Sequence, residues 1–162
     1  MTANDLIASG YRMAKGMVHR FTDGLTSDEF RHQPVPGANS AAWVVGHLAL
    51  TLRKTAERLG ATDLPPLPAG LAERFQQTGK SAADQSDLGD PAELVALFDT
   101  YIDRVAEAVK SLPAEALTAP PANRAGLALN AGEGLLFGSL HIAMHTGQLT
   151  TIRRSLGKPP VV

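Results

Sequence analysis

Proline and glycine cut this chain into four stretches of helical periodicity, and no segment sustains the alternation of a strand. The first stretch covers residues 4–21, with Leu6, Gly10, Met13, Met17 and Phe21 on one stripe, Thr2 or Asn4 as N-cap and Gly24 beyond its end. A short helical turn is expected at residues 27–30. Pro34 and Pro36 then stand too close together to lie inside a helix. Asn39 or Ser40 can cap the second stretch, which closes on Gly60 as a left-handed C-terminal residue; Trp43, His47, Leu50 and Lys54 recur along it.

Residues 61–89 are rich in Pro, Gly and Ala, with one amphipathic turn expected at residues 71–77. They are read as a long crossover or lid, since neither flanking helix would have a core without the other. The third stretch opens on Asp90-Pro91-Ala92-Glu93, a cap, a first-turn proline and a capping-box acid. It continues through Leu94, Phe98, Tyr101, Val105, Ala108 and Leu112 on one face. The fourth runs from about Asn130 to Gly157, with Pro159 and Pro160 after it. Four helices with unequal connections imply an all-α four-helix bundle with its long crossover between helices 2 and 3. A chain of 162 residues suits one domain, residues 1–162.

Composition removes several functions. The net charge is −1 and no run of Lys and Arg forms the basic stripe that nucleic acid requires. The chain has no cysteine, which excludes disulfides, thiolate metal sites and a cysteine nucleophile. Asp5, Arg12 and Lys15 interrupt the place where a signal peptide would have its apolar core. No apolar run approaches the roughly 18 residues of a membrane span. The expectation is a cytoplasmic protein acting on a small molecule, without nucleic acid or membrane as partner.

Three of the five histidines are placed for chemistry. His141 and His145 are four apart, so a helix sets their side chains on one face where both can reach one metal ion. Gly134, Phe137, Gly138, Gln148, Leu149 and Ile152 share that stripe. His47 lies on the inward stripe of the second helix, and bundle cores build metal sites from such facing side chains. One histidine on an apolar face is more often a bonded core residue than a ligand. Two adjacent buried imidazoles are harder to satisfy without a shared partner, and three together favour a metal. His19 and His32 read as ordinary. Ile142 occupies the place of the glutamate in a zinc-peptidase helix motif, which argues against a peptidase.

The string His141-x-x-x-His145-x-Gly147-Gln148-Leu149, followed by Arg153-Arg154 and Gly157-Lys158-Pro159, resembles the last helix of the DinB-like (YfiT-like) metal-dependent bundle family. Trp43-Val44-Val45-Gly46-His47-Leu48 resembles that family's second helix, and helix order fits along essentially the whole chain. The resemblance implies a divalent metal, zinc or nickel, on His47, His141 and His145. It further implies thiol-linked transferase or isomerase chemistry with a low-molecular-weight thiol cosubstrate, and a homodimer.

Three protein ligands leave a metal position open, as catalytic sites do. The expected function is a metal-dependent enzyme of small-molecule metabolism or detoxification, a thiol-dependent transferase or else an isomerase or hydrolase. The alternative is a non-catalytic, stress-related protein that binds metal or a small ligand; a third reading is a bundle whose histidines are packed and empty. Gln148, Glu133 and Thr51 are candidates to orient the imidazoles through their second nitrogens. Glu133 also suits a helix's first turn, and Thr51 can bond its own backbone. Trp43 and Phe137 can wall a pocket or pack the core. Arg153 and Arg154 can hold an anion or simply favour a helix C-terminus.

Overall fold

The structure, a computed structural model, describes residues 1–75, 85, 87–120, 122–124 and 127–161, with backbone alone at 122–124, 127 and 128. Among the described residues six α-helices follow one another: α1 Ala3–Thr22, α2 Ser27–Arg31, α3 Ala41–Arg58, α4 Leu71–Phe75, α5 Pro91–Ser111 and α6 Ala131–Ser155. The long ones, α1, α3, α5 and α6, form the bundle, so the fold is helical as the periodicity required. The crossover between the second and third long helices holds α4; residues 76 and 77 of the expected turn lie outside the described residues. A 3-10 turn, Ala114–Thr118, follows α5.

Two short strands were not expected. β1 Ala122–Arg124 pairs antiparallel with β2 Leu127–Leu129, Ala122 opposite Leu129. Three residues each are too few for an alternating pattern to register.

The helix ends follow local chemistry. Thr2, Thr26 and Asn130 each close a reciprocal capping box, with Asp5, Glu29 and Glu133 respectively. Ser40 caps α3 through the Trp43 amide. Asp90 caps α5, but through the Ala92 amide and without the expected reciprocal bond from Glu93. Gly60 and Gly157 follow α3 and α6 at φ 89° and 71°, the left-handed conformation that ends a helix.

Around the bundle, α3 packs on α5, α5 on α1, α1 on α6 and α6 on α3. The first half of α3 is buried on every side, from Ala41 to Leu50, because Ala41, Ala42, Gly46 and Ala49 are small enough to admit neighbours all round. The α3–α6 seam is the most open of the four, and there the polar residues gather.

On α1 the apolar stripe that stands out in the sequence is mostly not the buried one. Leu6, Met13 and Met17 are exposed, while Ile7, Ala8, Tyr11, Ala14 and Val18 face the core. The two stripes differ by a rotation of about 100°, one residue, and both carry apolar side chains. The buried one packs because Ala8, Ala14 and a backbone-bonded tyrosine suit a tight approach: Tyr11 donates its hydroxyl to the Leu135 carbonyl at 2.9 Å. A Cβ on Gly138 would stand 2.3 Å from that hydroxyl.

Candidate metal centre

His47, His141 and His145 converge across the α3–α6 seam. One ligating nitrogen from each ring lies within 4.8 Å of the others. His141 Nε2 and His145 Nε2 are 3.2 Å apart. A tetrahedral ion with bonds of about 2.0–2.1 Å would separate two of its ligands by about 3.4 Å, so this pair already stands near coordination spacing. Two imidazole lone pairs at that distance repel unless a proton or a cation lies between them.

Burial sets the protonation. Desolvation holds all three imidazoles below the ordinary histidine range. His145 is pushed down to about 4, by burial first and then by the neighbouring His141 and His47. Near neutral pH the rings are uncharged, the form in which imidazole binds a metal.

His47 is the most firmly held. Its Nδ1 donates to the Phe75 carbonyl at 3.1 Å, which leaves the Nε2 lone pair facing the cluster. Trp43 stacks on the ring at 4.9 Å and 6°. Nε2 of His47 is buried with no partner among the described residues, and so is Nδ1 of His145. An orphaned imidazole nitrogen aimed at two others is what a missing cation leaves behind. The donor set therefore fits a divalent ion that accepts nitrogen ligands, such as zinc or nickel.

The three expected orienting residues sit elsewhere than on a ring nitrogen. Thr51 donates its hydroxyl to the His47 backbone carbonyl at 2.9 Å, the local bond open to a mid-helix threonine. Glu133 accepts from the Asn130 amide at 2.9 Å and serves the α6 cap. Gln148 lies beside the cluster and favours protonation of His145, yet closes no hydrogen bond with its buried Nδ1 and accepts instead from Asn39 Nδ2 at 3.1 Å. The orienting group that the sequence did not reveal is the Phe75 carbonyl, on α4 in the crossover. A main-chain oxygen 28 residues away has no side-chain signature.

A cavity of about 590 Å³ opens beside the histidines. Thr51, Thr55 and Arg58 continue the His47 stripe along one wall; Tyr11, Phe137 and Met144 supply apolar surface. Phe137 is thus at the cavity, while Trp43 stays behind the His47 ring. Arg153 is not at the site: it donates to the carbonyls of Phe21 and Asp23 and ties the end of α6 to the turn after α1. Among the remaining histidines, His19 pairs with Asp99 at 2.6 Å and His32 with Ser155 at 2.9 Å, both away from the cluster.

The sequence profile of the DinB superfamily matches residues 11–149, a span that includes all three histidines. None of the curated proteins matches significantly. Among solved structures, a conserved protein from Enterococcus faecalis is similar over 98% of this chain and 99% of its own, with a TM-score of 0.75 and 18% identity. That likeness carries the fold. Among the described residues, no helix is long and apolar enough to cross a membrane.

Proposed function

The chain belongs to the DinB superfamily, and we propose that it is a metal-dependent enzyme of small-molecule metabolism or detoxification. We take residues 1–162 as one domain, because each long helix packs on two others. The observation that carries the functional reading is the convergence of three uncharged imidazoles on one side of a cavity. A divalent ion held by three imidazoles keeps an open position and, when bound, acts there as a Lewis acid that lowers the pKa of a thiol or water. His47, His141 and His145 would hold it. The Phe75 carbonyl fixes the His47 tautomer, and Trp43 fixes its ring plane. Phe137, Met144 and Tyr11 exclude water from one side of the substrate. The chain has no cysteine, so a sulfur nucleophile must come with a cosubstrate. Transfer of a low-molecular-weight thiol to an electrophile is the reaction class that this arrangement and the family resemblance favour. A cytoplasmic setting, where such thiols are abundant, suits it.

One observation favours the second reading, non-catalytic binding of a metal or small ligand in a stress-related role. Among the described residues no carboxylate lines the cavity, so no conventional general base stands at hand.

Elemental analysis of untagged protein beside a His141→Ala/His145→Ala double variant tests the centre, with about one equivalent of zinc or nickel expected in the first and none in the second. Turnover with a panel of thiols and electrophiles then separates the readings. Loss of turnover in His145→Ala supports the enzyme; tight metal binding without rate enhancement supports the binding protein. No metal in either protein, even after incubation with zinc or nickel, would refute the metal centre and leave the histidines a packed, structural cluster.

The proposal extends to a homodimer. Leu6, Met13 and Met17 on α1 and Leu136, Leu140 and Met144 on α6 are exposed large apolar side chains on two adjacent helices. Such a patch on a small protein marks an interaction surface. Met144 also lines the cavity, so a partner seated here would border its mouth.

A further inference from the structure

Helix α4 is too short to hold itself together. It has five residues, and an isolated helix of that length is unstable in water. Its stability comes from packing against α3. Leu71 and Phe75, spaced so that they share one face, are its buried residues. Phe75 lies over Gly46, where a Cβ would collide with its ring.

One polar contact joins this short helix to the histidine cluster. His47 Nδ1 donates to the Phe75 carbonyl at 3.1 Å, while Nε2 of the same ring is buried without a partner and available to the cluster. The two nitrogens belong to one conjugated ring. A cation on Nε2 draws charge from the Nδ1–H and makes it a stronger donor to the carbonyl. The carbonyl acts on the ring in return, holding the proton on Nδ1 and making Nε2 the more basic ligand. Each contact therefore strengthens the other.

We propose that α4 and the metal centre form one linked device: with α4 seated on α3 the histidines bind the ion more tightly, and the bound ion holds α4 in place. Such a coupling is reciprocal. An ion bound about tenfold more tightly when α4 is seated must favour the seated form by the same factor. The proposal rests on the reading of the three histidines as a metal centre and adds its regulation. Whatever lifts α4 from α3 loosens the ion, and loss of the ion makes it easier for Leu71 and Phe75 to leave the core. A Phe75 that only filled the space over Gly46 would stabilise the fold without making α4 respond to metal.

Amide hydrogen exchange, followed by NMR on metal-free and zinc-saturated protein, tests this without turnover. The reporters are the Leu71 and Arg74 amides, which donate to the Pro68 and Gly70 carbonyls at 3.1 and 3.2 Å and exchange when α4 opens. Zinc is expected to slow both about tenfold, equivalent to about 1.4 kcal/mol. The Phe30 amide of α2, bonded to the Thr26 carbonyl at 2.8 Å, should be slowed less, because α2 has no such link to the histidines. In Phe75→Ala, zinc affinity from competitive titration should fall by the factor that zinc imposes on α4 exchange, with Phe75→Leu between it and the wild type. Zinc bound with α4 exchange unchanged, or with Phe30 slowed equally, would overturn the linkage while leaving the metal centre standing. A Phe75→Ala protein whose α4 exchanges freely yet binds zinc as the wild type does would overturn it too. No zinc bound by the wild type would overturn the metal reading and this proposal with it. The exchange comparison needs only the wild-type chain, so it stands even where Phe75→Ala does not fold.

Discussion

Gly46→Ala should destabilise this protein, although the same change in most helix interiors does the opposite. Gly46 lies within α3, immediately before His47. On helix propensity alone, alanine in place of glycine gains about 1 kcal/mol. Here a Cβ would stand 2.3 Å from Phe75 Cζ and 2.4 and 2.6 Å from its two ε carbons, so the ring lies over the glycine. Phe75 is fully buried and cannot swing into solvent. Overpacking of this kind costs about 1–3 kcal/mol, and relief of more than 1 Å of overlap belongs at or above the upper end. The net expectation is a loss of about 2 kcal/mol or more. Moving Phe75 also moves the carbonyl that orients His47, so zinc affinity should fall about 10–100-fold, the usual cost of losing a ligand's outer partner. Gly147→Ala and Gly16→Ala provide the contrast, since nothing lies within 4 Å of a Cβ at either helical position. Both should be neutral to stabilising by up to about 1 kcal/mol. Urea midpoints of the three variants, with competitive zinc titration of Gly46→Ala, make the comparison. A Gly46→Ala protein as stable as Gly147→Ala, with wild-type zinc affinity, would refute the packing argument and the orienting role of Phe75 together.

Asn4 is buried and its Nδ2 donates to the carbonyls of Val109 and Leu112 at the end of α5; Asn4→Ala should cost about 2 kcal/mol, seen as a melting temperature about 4–8 °C lower, and an unchanged value would refute the assignment. Chelator-treated protein should lose stability on acidification. The three site histidines have folded pKa values below their unfolded ones, so the unfolded chain binds more protons in that window and stability rises with pH. The His145 contribution, of order 2–3 kcal/mol, is complete above about pH 6.5 and is lost as pH falls toward about 4; a urea midpoint that held steady or rose over that range would contradict it. Met13→Glu with Leu140→Glu should convert a dimer to monomer in light scattering without loss of helix content, whereas a wild type that is monomeric at high concentration would dismiss the α1–α6 face as an interface.

The fold and the histidine cluster were legible in the sequence for one reason: both are written in local spacing. Prolines and capping residues mark where helices can begin and end, and a step of four places His141 and His145 side by side whatever surrounds them. The inward face of α1 was less legible because Leu6, Met13 and Met17 compete with Ile7, Tyr11 and Val18 as an apolar stripe. A hydrophobic pattern cannot say which of two stripes meets the core when the other is also covered by something. That surplus is itself informative: if the second stripe, continued by Leu136, Leu140 and Met144 on α6, is buried by a second copy, both stripes are core stripes and the sequence pattern was double from the start.

The partner of His47 was illegible for a different reason. A side-chain partner would have left a residue type to search for, but the Phe75 carbonyl is backbone, and its place depends on how the crossover returns to α3. What the sequence does carry is the negative of that contact. Gly46, a residue with a propensity cost in the middle of a helix, makes sense only when something must approach it closely. Arg58 belongs to a third kind: its step from His47 was in plain view, but only the open seam between α3 and α6 turns a last-turn arginine into the far wall of a cavity. Spacing alone can assemble ligands on one helix. Deciding which of their helical neighbours meet a substrate requires knowing where the bundle fails to close.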